Sequence, residues 1–237
     1  MKENLVIIPT YNEIENISLM IDVVMNLDGD TFDLLIIDDG SPDGTAKVVK
    51  ERMIDYPNRL WMIERSGKLG LGSAYITGFK WALEREYQYI YEMDCDFSHN
   101  PQDLKRLHAA ALNGADVVVG SRYIAGVNVV NWPMSRLLLS YFASAYVRFV
   151  TRMKVMDATA GFVCYNRAVL ERINLDRVKM QGYGFQIEMK YSAIKLGFKL
   201  VEESIIFTER QEGNSKMSGG IFGEALWGVM ALPFRRI

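Results

Sequence analysis

Short apolar runs alternate with helical hydrophobic periodicity through the first half of the chain. Strands are predicted over residues 5–8, 34–37, 60–63, 87–91 and 117–119, because these runs are short, apolar and bounded by turn residues. Between them, apolar residues recur at helical spacing over residues 15–27 and 102–112 and, after Gly70-Leu71-Gly72, through Ala74, Phe79 and Leu83. A further helix is predicted to start near Thr45. This alternation predicts an α/β fold in which helices cover both faces of a mostly parallel sheet.

A different pattern begins near residue 131. Residues 134–153 are apolar and long enough for a helix, and polar residues recur at every fourth position along one face. These polar residues are Arg136, Ser140, Ser144, Arg148 and Arg152. Strands are predicted over residues 162–165 and 199–207, a helix over 185–196, a polar loop over 209–220 and a second apolar helix over 221–234. We predict one catalytic domain over residues 1–220, including helix 134–153, followed by an apolar or amphipathic helix within residues 221–237.

Two carboxylates, Asp94 and Asp96, follow the predicted strand 87–91. In an open α/β sheet, ligands bind at the carboxyl ends of the strands. Neighbouring acids repel one another, but a divalent cation that carries a diphosphate takes oxygen ligands and leaves coordination positions for phosphate and water. Because an Asp-x-Asp triplet is common by chance, other loops at the same sheet edge must support a metal site.

Two further loops bring candidate side chains to that edge. Tyr11 follows the first strand and could stack on a nucleotide base, whereas Glu13 also fits an ordinary helix start. Asp38 and Asp39 follow the second strand, where an acid can bind ribose hydroxyls, although a turn can use aspartate for its own hydrogen bonds. Lys68 precedes a Gly-Leu-Gly segment that matches no phosphate-binding loop, but its ammonium could still meet a phosphate.

Composition and charge narrow the class of protein. The chain has 237 residues, of which 49% are hydrophobic and 24% charged, as in an ordinary globular protein. Its net charge of -2 lacks the excess of positive charge that is typical of nucleic-acid-binding proteins. The two cysteines, Cys95 and Cys164, lack metal-ligand spacing and fit a reducing compartment. The first residues do not resemble a signal peptide, and no run approaches the roughly 20 apolar residues that span a bilayer. A cytoplasmic location is expected.

Several motifs together carry a resemblance to a known family. Pro9-Thr10-Tyr11-Asn12-Glu13, residues 38–45 and Asp94-Cys95-Asp96 resemble the nucleotide-sugar site of family-two glycosyltransferases, which have the GT-A fold. Within that family, the chain is similar to the dolichyl-phosphate and polyprenyl-phosphate mannose synthases whose catalytic subunit is soluble. The segments that carry this narrower similarity are residues 98–101, 120–123, 157–162, 183–189 and 210–219.

The resemblance implies transfer of mannose from GDP-mannose to a polyprenyl phosphate, with Mg²⁺ or Mn²⁺ as cofactor. It puts five residues around the nucleoside: Pro9, Tyr11, Glu13, Asp38 and Asp39. Asp94 and Asp96 would hold the metal and the diphosphate, and Ser98 stands where some relatives have a further ligand, Gln. Arg122, Arg136 and Ser140 would hold the acceptor phosphate, so Asp96, Arg122 and Arg136 are the expected catalytic residues. Lys68, Gln186 and Glu188 are candidate donor contacts, and Arg210 and Lys216 lie on a loop that would close over the donor.

The chemistry of such a transfer agrees with these residue types. A phosphate monoester is largely ionised near neutral pH and is already a nucleophile, so the enzyme needs no dedicated general base. It must instead bring two anions together, which requires a cation and several arginines or lysines. A single displacement would invert the anomeric centre and give a β-linked product.

Three alternatives remain open from the sequence. The same reaction could use another donor, such as UDP-glucose. A second alternative transfers the sugar to a carbohydrate hydroxyl and needs a base, for which Glu188 is the candidate. A third alternative is a non-enzymatic subunit that binds a nucleotide sugar. The presence of Asp94, Asp96, Arg122 and Lys216 disfavours this alternative, because a scaffold does not need them. Taken singly, Arg122 and Arg136 could also be ordinary surface residues.

A polyprenyl acceptor resides in a bilayer, so the chain needs a route to a membrane surface. Several relatives carry C-terminal transmembrane helices, and this sequence departs from that pattern. The apolar helices over 134–153 and 221–234 are predicted to lie at a membrane interface, with packing on the domain core as the alternative. We expect peripheral attachment on the cytoplasmic face, with a small membrane-anchoring subunit as a further expected partner.

Overall fold

The structure is a computed structural model that describes residues 3–209 and 220–235. Its strands are β1 (Asn4–Thr10), β2 (Phe32–Asp38), β3 (Leu60–Glu64), β4 (Tyr89–Glu92), β5 (Val117–Ser121), β6 (Val129–Val130), β7 (Val163–Asn166), β8 (Leu200–Ser204) and β9 (Phe207–Thr208). Its α-helices are α1 (Ile17–Met25), α2 (Thr45–Arg52), α3 (Leu71–Leu83), α4 (Asp103–Leu112), α5 (Met134–Thr151), α6 (Arg167–Arg172), α7 (Tyr183–Lys195) and α8 (Gly220–Ala231). Arg210 and Lys216 lie outside the described residues.

The central sheet has the predicted mostly parallel arrangement. Among the described residues, seven strands are ordered β3-β2-β1-β4-β7-β5-β8, and β7 alone runs antiparallel to its neighbours. The chain moves from β1 outward to β2 and β3, and then returns to place β4 on the other side of β1. Such a reversal of strand order opens a crevice at the carboxyl ends of β1 and β4, which is where ligands bind in this class of sheet.

Two apolar layers pack on opposite faces of this sheet because successive strand residues point to opposite sides. Val6 and Ile8 face the layer beneath α1, α2 and α4, whereas Leu5 and Ile7 face the layer beneath α3 and α7. In the second layer the ring of Phe185 stacks on Tyr75 with centroids 5.9 Å apart. This contact fixes the rotation of α7, and with it the direction of the residues that follow Phe185.

Two predicted elements, the strand over residues 199–207 and the helix over 134–153, end earlier in the structure than predicted. The strand predicted over residues 199–207 ends at Ser204, and Phe207 pairs instead with Val129 in a separate two-stranded ribbon of β6 and β9. The helix predicted over 134–153 ends at Thr151, because Arg152 adopts a left-handed conformation with φ of 62°. The short elements β6 and α6 were not predicted.

Helix α5 turns its polar stripe toward the protein from Arg136 to Arg148, whereas Arg152, beyond the end of the helix, is exposed. Ser144 is fully buried, and Arg148 donates a hydrogen bond from Nη1 to the carbonyl oxygen of Met156 at 2.8 Å. The opposite face of α5 exposes Met134, Leu138, Leu139, Tyr141, Phe142 and Phe149, and the neighbouring C-terminal segment exposes Leu226, Trp227, Met230 and Phe234. We call these ten residues the apolar face. Within the described residues, no helix has the combination of length and apolarity needed to cross a membrane.

We predict that Gly78→Ala destabilises the fold although alanine is normally the better helix residue. A Cβ at Gly78 would lie 2.8 Å from two side-chain carbons of Ile7, so α3 could not keep its distance from β1. Overpacking of this kind costs about 1 to 3 kcal/mol, which urea denaturation will measure. Gly67→Ala is the control, because its Cβ would meet nothing within 4 Å. Equal stability of the two variants would contradict this close packing.

Candidate active site

Two cavities meet at the carboxyl ends of the central strands. The outer cavity has a volume of about 330 Å³, and eight of the predicted site residues line it: Pro9, Tyr11, Glu13, Asp39, Lys68, Asp94, Asp96 and Arg136. The inner cavity is smaller, at about 100 Å³, and shares Asp94, Asp96 and Arg136 with the outer one. It adds Arg122 and Gln186 to the lining. The acid pair therefore stands where the two cavities join.

The loops after β1 and β2 are tied to one another by turn hydrogen bonds. The backbone N–H of Asn12, which has φ of 55°, donates to Ser41 Oγ at 3.0 Å, and the N–H of Glu13 donates to Thr45 Oγ1 at 3.0 Å. These bonds hold Tyr11 at the mouth of the outer cavity, where Lys68 Nζ lies 5.2 Å from the ring centroid. An aromatic face and a cation side by side suit a base and its phosphates.

Asp38 and Asp39 have different surroundings. Asp38 is fully buried, and its carboxylate accepts hydrogen bonds from the hydroxyls of Thr10 (2.9 Å) and Ser41 (2.6 Å). The resemblance implies a place for Asp38 at the nucleoside, but Asp38 is bonded to the turn and does not line the outer cavity. Asp39 does line that cavity, and Arg65 Nε donates to its Oδ1 at 2.6 Å.

The loop after β4 holds the acid pair in a fixed turn. Phe97 has φ of 56°, which reverses the chain directly after Asp96, and the N–H of Ser98 donates to Asp96 Oδ1 at 3.1 Å. His99 packs its ring on Phe162 at 5.1 Å, and its Nδ1 accepts from the N–H of Asp94 at 3.4 Å. Burial lowers the pKa of His99 to about 4 despite the opposing charge of Asp96, so the imidazole is neutral and serves as this acceptor.

The acid pair fits a divalent cation whose coordination shell is completed by other molecules. The described residues contain no group of three or more histidine, cysteine or acidic side chains that could hold an ion alone. Ser98 Oγ, which lines the inner cavity beside Asp94 and Asp96, is buried and has no hydrogen-bond partner in this part of the chain. Two carboxylates and an available hydroxyl are hard oxygen ligands, and a diphosphate and water would supply the remaining positions.

Arg122 is a buried cation with a fixed orientation. Its Nε and Nη2 donate to the two oxygens of Asp157 at 2.6 and 2.5 Å, and Nη2 also donates to Thr159 Oγ1 at 2.9 Å. The rings of Trp132 and Phe207 lie 5.4 and 5.6 Å from the guanidinium carbon. Burial opposes the charged form, but Asp157 outweighs it and raises the pKa of Arg122 further. The inner cavity therefore keeps one permanent positive charge.

Asp157 is a site residue for which the sequence motifs predicted no role. Burial favours its neutral form, but Arg122 lowers its pKa, so the carboxylate stays ionised. Its own N–H donates to Glu202 Oε1 at 2.9 Å, which anchors the Asp157 loop to β8. The available signal was an aspartate in a short apolar motif, residues 157–162, which cannot by itself identify a partner 35 residues earlier.

Arg136 and Ser140 lie one turn apart on α5 but have different neighbours. Arg136 lines both cavities, donates to Glu209 Oε1 at 2.6 Å and lies 4.3 Å from the Trp132 ring. Ser140 accepts a hydrogen bond from the hydroxyl of Tyr123 at 2.8 Å and lines neither cavity. Arg136 is thus placed to meet an anion directly, whereas Ser140 holds Tyr123 beside Arg122.

Gln186 and Glu188 point in different directions from α7, because residues two apart lie on nearly opposite sides of a helix. Gln186 lines the inner cavity. Glu188 accepts from the backbone N–H groups of Lys179 and Met180, at 3.0 and 2.8 Å, and from Arg235 Nη1 at 2.9 Å. This corrects the prediction that Glu188 contacts the donor sugar, since both carboxylate oxygens serve the loop before α7 and the C-terminal segment.

Known sequences are similar to this chain over most of its length. The model of glycosyl transferase family 2 matches residues 5–174. A polyprenol monophosphomannose synthase from Mycolicibacterium smegmatis is 46% identical over 233 residues, which cover 96% of this chain and 88% of that protein. An undecaprenyl-phosphate mannosyltransferase from Micrococcus luteus is 44% identical over 232 residues, which cover 96% of this chain and 94% of the relative. The resemblance inferred from the motifs is confirmed.

Solved structures match the fold at lower identity. Glucosyl-3-phosphoglycerate synthase from Mycobacterium tuberculosis, in complex with Mn²⁺, UDP and glucosyl-3-phosphoglycerate, superposes with a TM-score of 0.68 and 18% identity. The match covers 98% of this chain and 79% of that one. The same enzyme with Mn²⁺, UDP-glucose and glycerol 3-phosphate also gives a TM-score of 0.68. This likeness confirms the predicted GT-A fold.

We predict that Asp157→Asn destabilises the protein far more than loss of a surface ion pair. Removing one partner of a buried pair leaves the other charge uncompensated, which costs about 3 to 5 kcal/mol. Urea denaturation will measure the loss. Asp176→Asn is the matched control: its carboxylate pairs with Lys80 but is 79% exposed, so the expected change is below about 1 kcal/mol. Similar stability losses in both variants would contradict the role assigned to Asp157.

Proposed function

We propose a specific reaction for this chain, which belongs to glycosyl transferase family 2 and is therefore a glycosyltransferase. It transfers mannose from GDP-mannose to a polyprenyl phosphate in a single inverting displacement that depends on a divalent cation. The observation that carries the proposal is the arrangement of charge: Asp94, Asp96 and Arg136 stand where the two cavities meet, and Arg122 lines the inner cavity alone. The names of the two relatives support mannose and a polyprenyl phosphate as the substrates.

The donor occupies the outer cavity in this proposal. Tyr11 and Lys68 flank the nucleoside end, and Asp39 lies within reach of the ribose hydroxyls. The diphosphate lies toward Asp94 and Asp96, with the sugar beyond it in the inner cavity. A divalent cation held by these two acids would stabilise the charge that develops on the leaving diphosphate.

The acceptor phosphate occupies the arginine side of the inner cavity. Asp157 holds the Arg122 guanidinium in one orientation, so the positive charge needs no reorganisation when the anionic acceptor arrives. Arg136 supplies a second charge from α5. The rings of Trp132 and Phe207 limit water around these charges, which strengthens their attraction for a phosphate.

The inner cavity favours a phosphate acceptor over a sugar hydroxyl. A hydroxyl acceptor needs a general base, whereas an ionised phosphate does not. Among the described lining residues of the inner cavity, the only carboxylates are those of Asp94 and Asp96, which the proposal gives to the cation. Glu188, the candidate base of the hydroxyl alternative, is bonded elsewhere. Direct attack by the phosphate oxygen opposite the leaving group gives the β-linked product.

The apolar face offers the chain a route to a lipid acceptor. It combines large aliphatic and aromatic side chains from two neighbouring helices, and Phe142, Phe149 and Trp227 are 62%, 72% and 71% exposed. We propose that this face lies in the headgroup region of a bilayer and that the protein attaches peripherally to the membrane surface.

We predict metal-dependent labelling of lipid when purified protein is given radiolabelled GDP-mannose and a short polyprenyl phosphate. Mn²⁺ or Mg²⁺ should support transfer, EDTA should abolish it, and Asp96→Asn should lower the rate by at least about a hundredfold while keeping the fold. Parallel reactions contain UDP-glucose as donor or an oligosaccharide as acceptor. Labelling from UDP-glucose alone would replace the donor, and labelling of the oligosaccharide alone would replace the acceptor. Normal turnover by Asp96→Asn would refute the metal assignment.

We also predict that charge on the apolar face abolishes membrane binding without abolishing chemistry. The double variant Phe142→Glu/Trp227→Glu should stop sedimenting with vesicles that contain anionic lipid, because two carboxylates would have to enter the interface. It should still turn over an acceptor presented in detergent micelles. Leu112→Glu on α4, where the native leucine is also exposed (57%), should bind vesicles like the wild type. Unchanged sedimentation of the double variant would exclude this face as the attachment surface.

A further inference from the structure

The end of the chain is tied to the loop before α7 through the buried carboxylate of Glu188. Its Oε2 accepts hydrogen bonds from two successive backbone groups, the N–H of Lys179 at 3.0 Å and that of Met180 at 2.8 Å. Its Oε1 accepts from Arg235 Nη1 at 2.9 Å. Hydrogen bonds to an ionised acceptor are about twice as strong as neutral ones. Glu188 therefore joins Arg235 firmly to the backbone of residues 179–180, and we call this connection the Arg235 tie.

The residues that follow this backbone line both cavities of the site. Gln181, Gly182 and Tyr183 line the outer cavity, and Gly182 and Tyr183 line the inner one as well. We call residues 181–183 the loop wall. Gly182 has φ of 53° and ψ of -129°, a conformation that glycine adopts far more readily than other residues. The loop wall is thus fixed at both ends, by the Arg235 tie before it and by α7 after it.

The side chain of Met180 makes a second connection to the end of the chain. An added Cβ at Gly184 on α7 would lie 2.8 Å from Met180 Cε, and one at Gly228 on α8 would lie 2.5 Å from the same atom. Met180 therefore packs closely between the two helices, in an apolar cluster that includes Val229 and Leu232. The way in which α8 packs on α7 thus affects the residue that directly precedes the loop wall.

The segment that makes both connections also carries part of the apolar face. In residues 226–235, Trp227 and Met230 are exposed, whereas Arg235 turns back to Glu188 and its side chain is 35% exposed. Ordering a long arginine side chain costs conformational entropy, which the bond to a buried carboxylate must offset. In the proposed membrane attachment, this segment would meet lipid on one side and the loop wall on the other.

The position of the loop wall matters because the proposed donor binds beside it. Asp94 and Asp96 line the same two cavities as Gly182 and Tyr183. The proposed reaction places the donor diphosphate there. Misplacing a group by about 1 Å can cost on the order of a hundredfold in rate, even when the mutation is far from the chemistry. Contacts that fix the backbone directly before the loop wall can therefore control donor binding without touching the donor.

We propose that residues 226–235 are a positioning element of the transfer site, in which Arg235 acts through Glu188 to hold the loop wall in place for the nucleotide-sugar donor. The inference rests on the proposed function, which it deepens by giving the C-terminal segment a role in donor binding besides membrane attachment. Neither Arg235 nor Glu188 lines the outer or the inner cavity, so both act through the backbone of residues 179–183.

The test measures how tightly the folded protein binds its donor. Calorimetry with Mn²⁺, well below the unfolding midpoint of every variant, gives the dissociation constant of GDP-mannose or UDP-glucose, whichever the wild type binds. Arg235→Gln should weaken binding about three- to tenfold. Glu188→Gln should have the same effect, because its amide oxygen still accepts from both N–H groups but its NH₂ group cannot pair with Arg235. Glu188→Leu, which also releases the two N–H groups, should weaken binding more than tenfold.

Two further variants separate the Arg235 tie from unrelated effects. The double variant Glu188→Gln/Arg235→Gln should bind the donor no more weakly than either single variant, because both changes break one connection. Glu171→Gln is the control, since it breaks the ion pair between Arg167 and a carboxylate that is 50% exposed. It should bind the donor like the wild type. Additive losses in the double variant would contradict a shared action of the two residues.

A merely structural role for the Arg235 tie predicts a different result. The variants would then unfold at lower temperature while their folded fraction bound the donor with wild-type affinity, and this outcome overturns the inference. If Glu188→Leu does not fold, Glu188→Gln and Arg235→Gln provide the test. Binding of neither sugar nucleotide by the wild type would overturn the proposed function and this inference with it. Lipid labelling by the wild type, with unchanged donor affinity in the variants, would overturn this inference alone.

Discussion

The ion pair between Arg122 and Asp157 is the interaction on which the reaction site depends. A guanidinium in a nearly closed cavity persists only if a carboxylate offsets its lost hydration, and Asp157 does so with two parallel hydrogen bonds. Asp157 is itself fixed, because Glu202 on β8 accepts from its backbone N–H. The pair thus joins the end of β5 to the loop before β7 and to β8. It sets the wall of the inner cavity and the direction in which Arg122 presents its charge.

Charge is segregated across the site although the chain as a whole is nearly neutral, with a net charge of -2. Acids stand at the ends of β2 and β4, Arg122 lines the inner cavity, and Arg136 lines both cavities. Beneath them, burial raises the pKa of Glu92 and lowers that of Lys190, while each charge pulls the pKa of the other back toward its usual value. A site that must bring two phosphates together needs such separation, because like charges would otherwise repel the second substrate.

Sequence patterns predicted the sheet and the acids at its edge, because strand periodicity and turn residues are local signals. They did not distinguish Asp38 from Asp39, since which neighbour turns inward depends on hydrogen bonds from Thr10 and Ser41. They also placed Glu188 with Gln186, although Phe185 stacking on Tyr75 rotates α7 so that only Gln186 faces the cavity. The partner of Arg122 was missed for the same reason. Such contacts join residues that are distant in sequence, so they produce no periodic pattern of hydrophobic and polar residues.

Helix α5 turns its polar face inward and its apolar face outward, and this arrangement connects the proposed site to the proposed acceptor. Arg136 and Ser140 lie on its inner side, toward the cavities and Tyr123, whereas Leu138 and Phe142 lie on its outer side. An outward apolar face is costly in water unless another apolar phase covers it. A polyprenyl phosphate has the matching division, with an anionic head and an apolar tail. One helix can therefore meet both ends of the acceptor: its arginine takes the phosphate, and its outer face reaches the lipid phase that holds the tail.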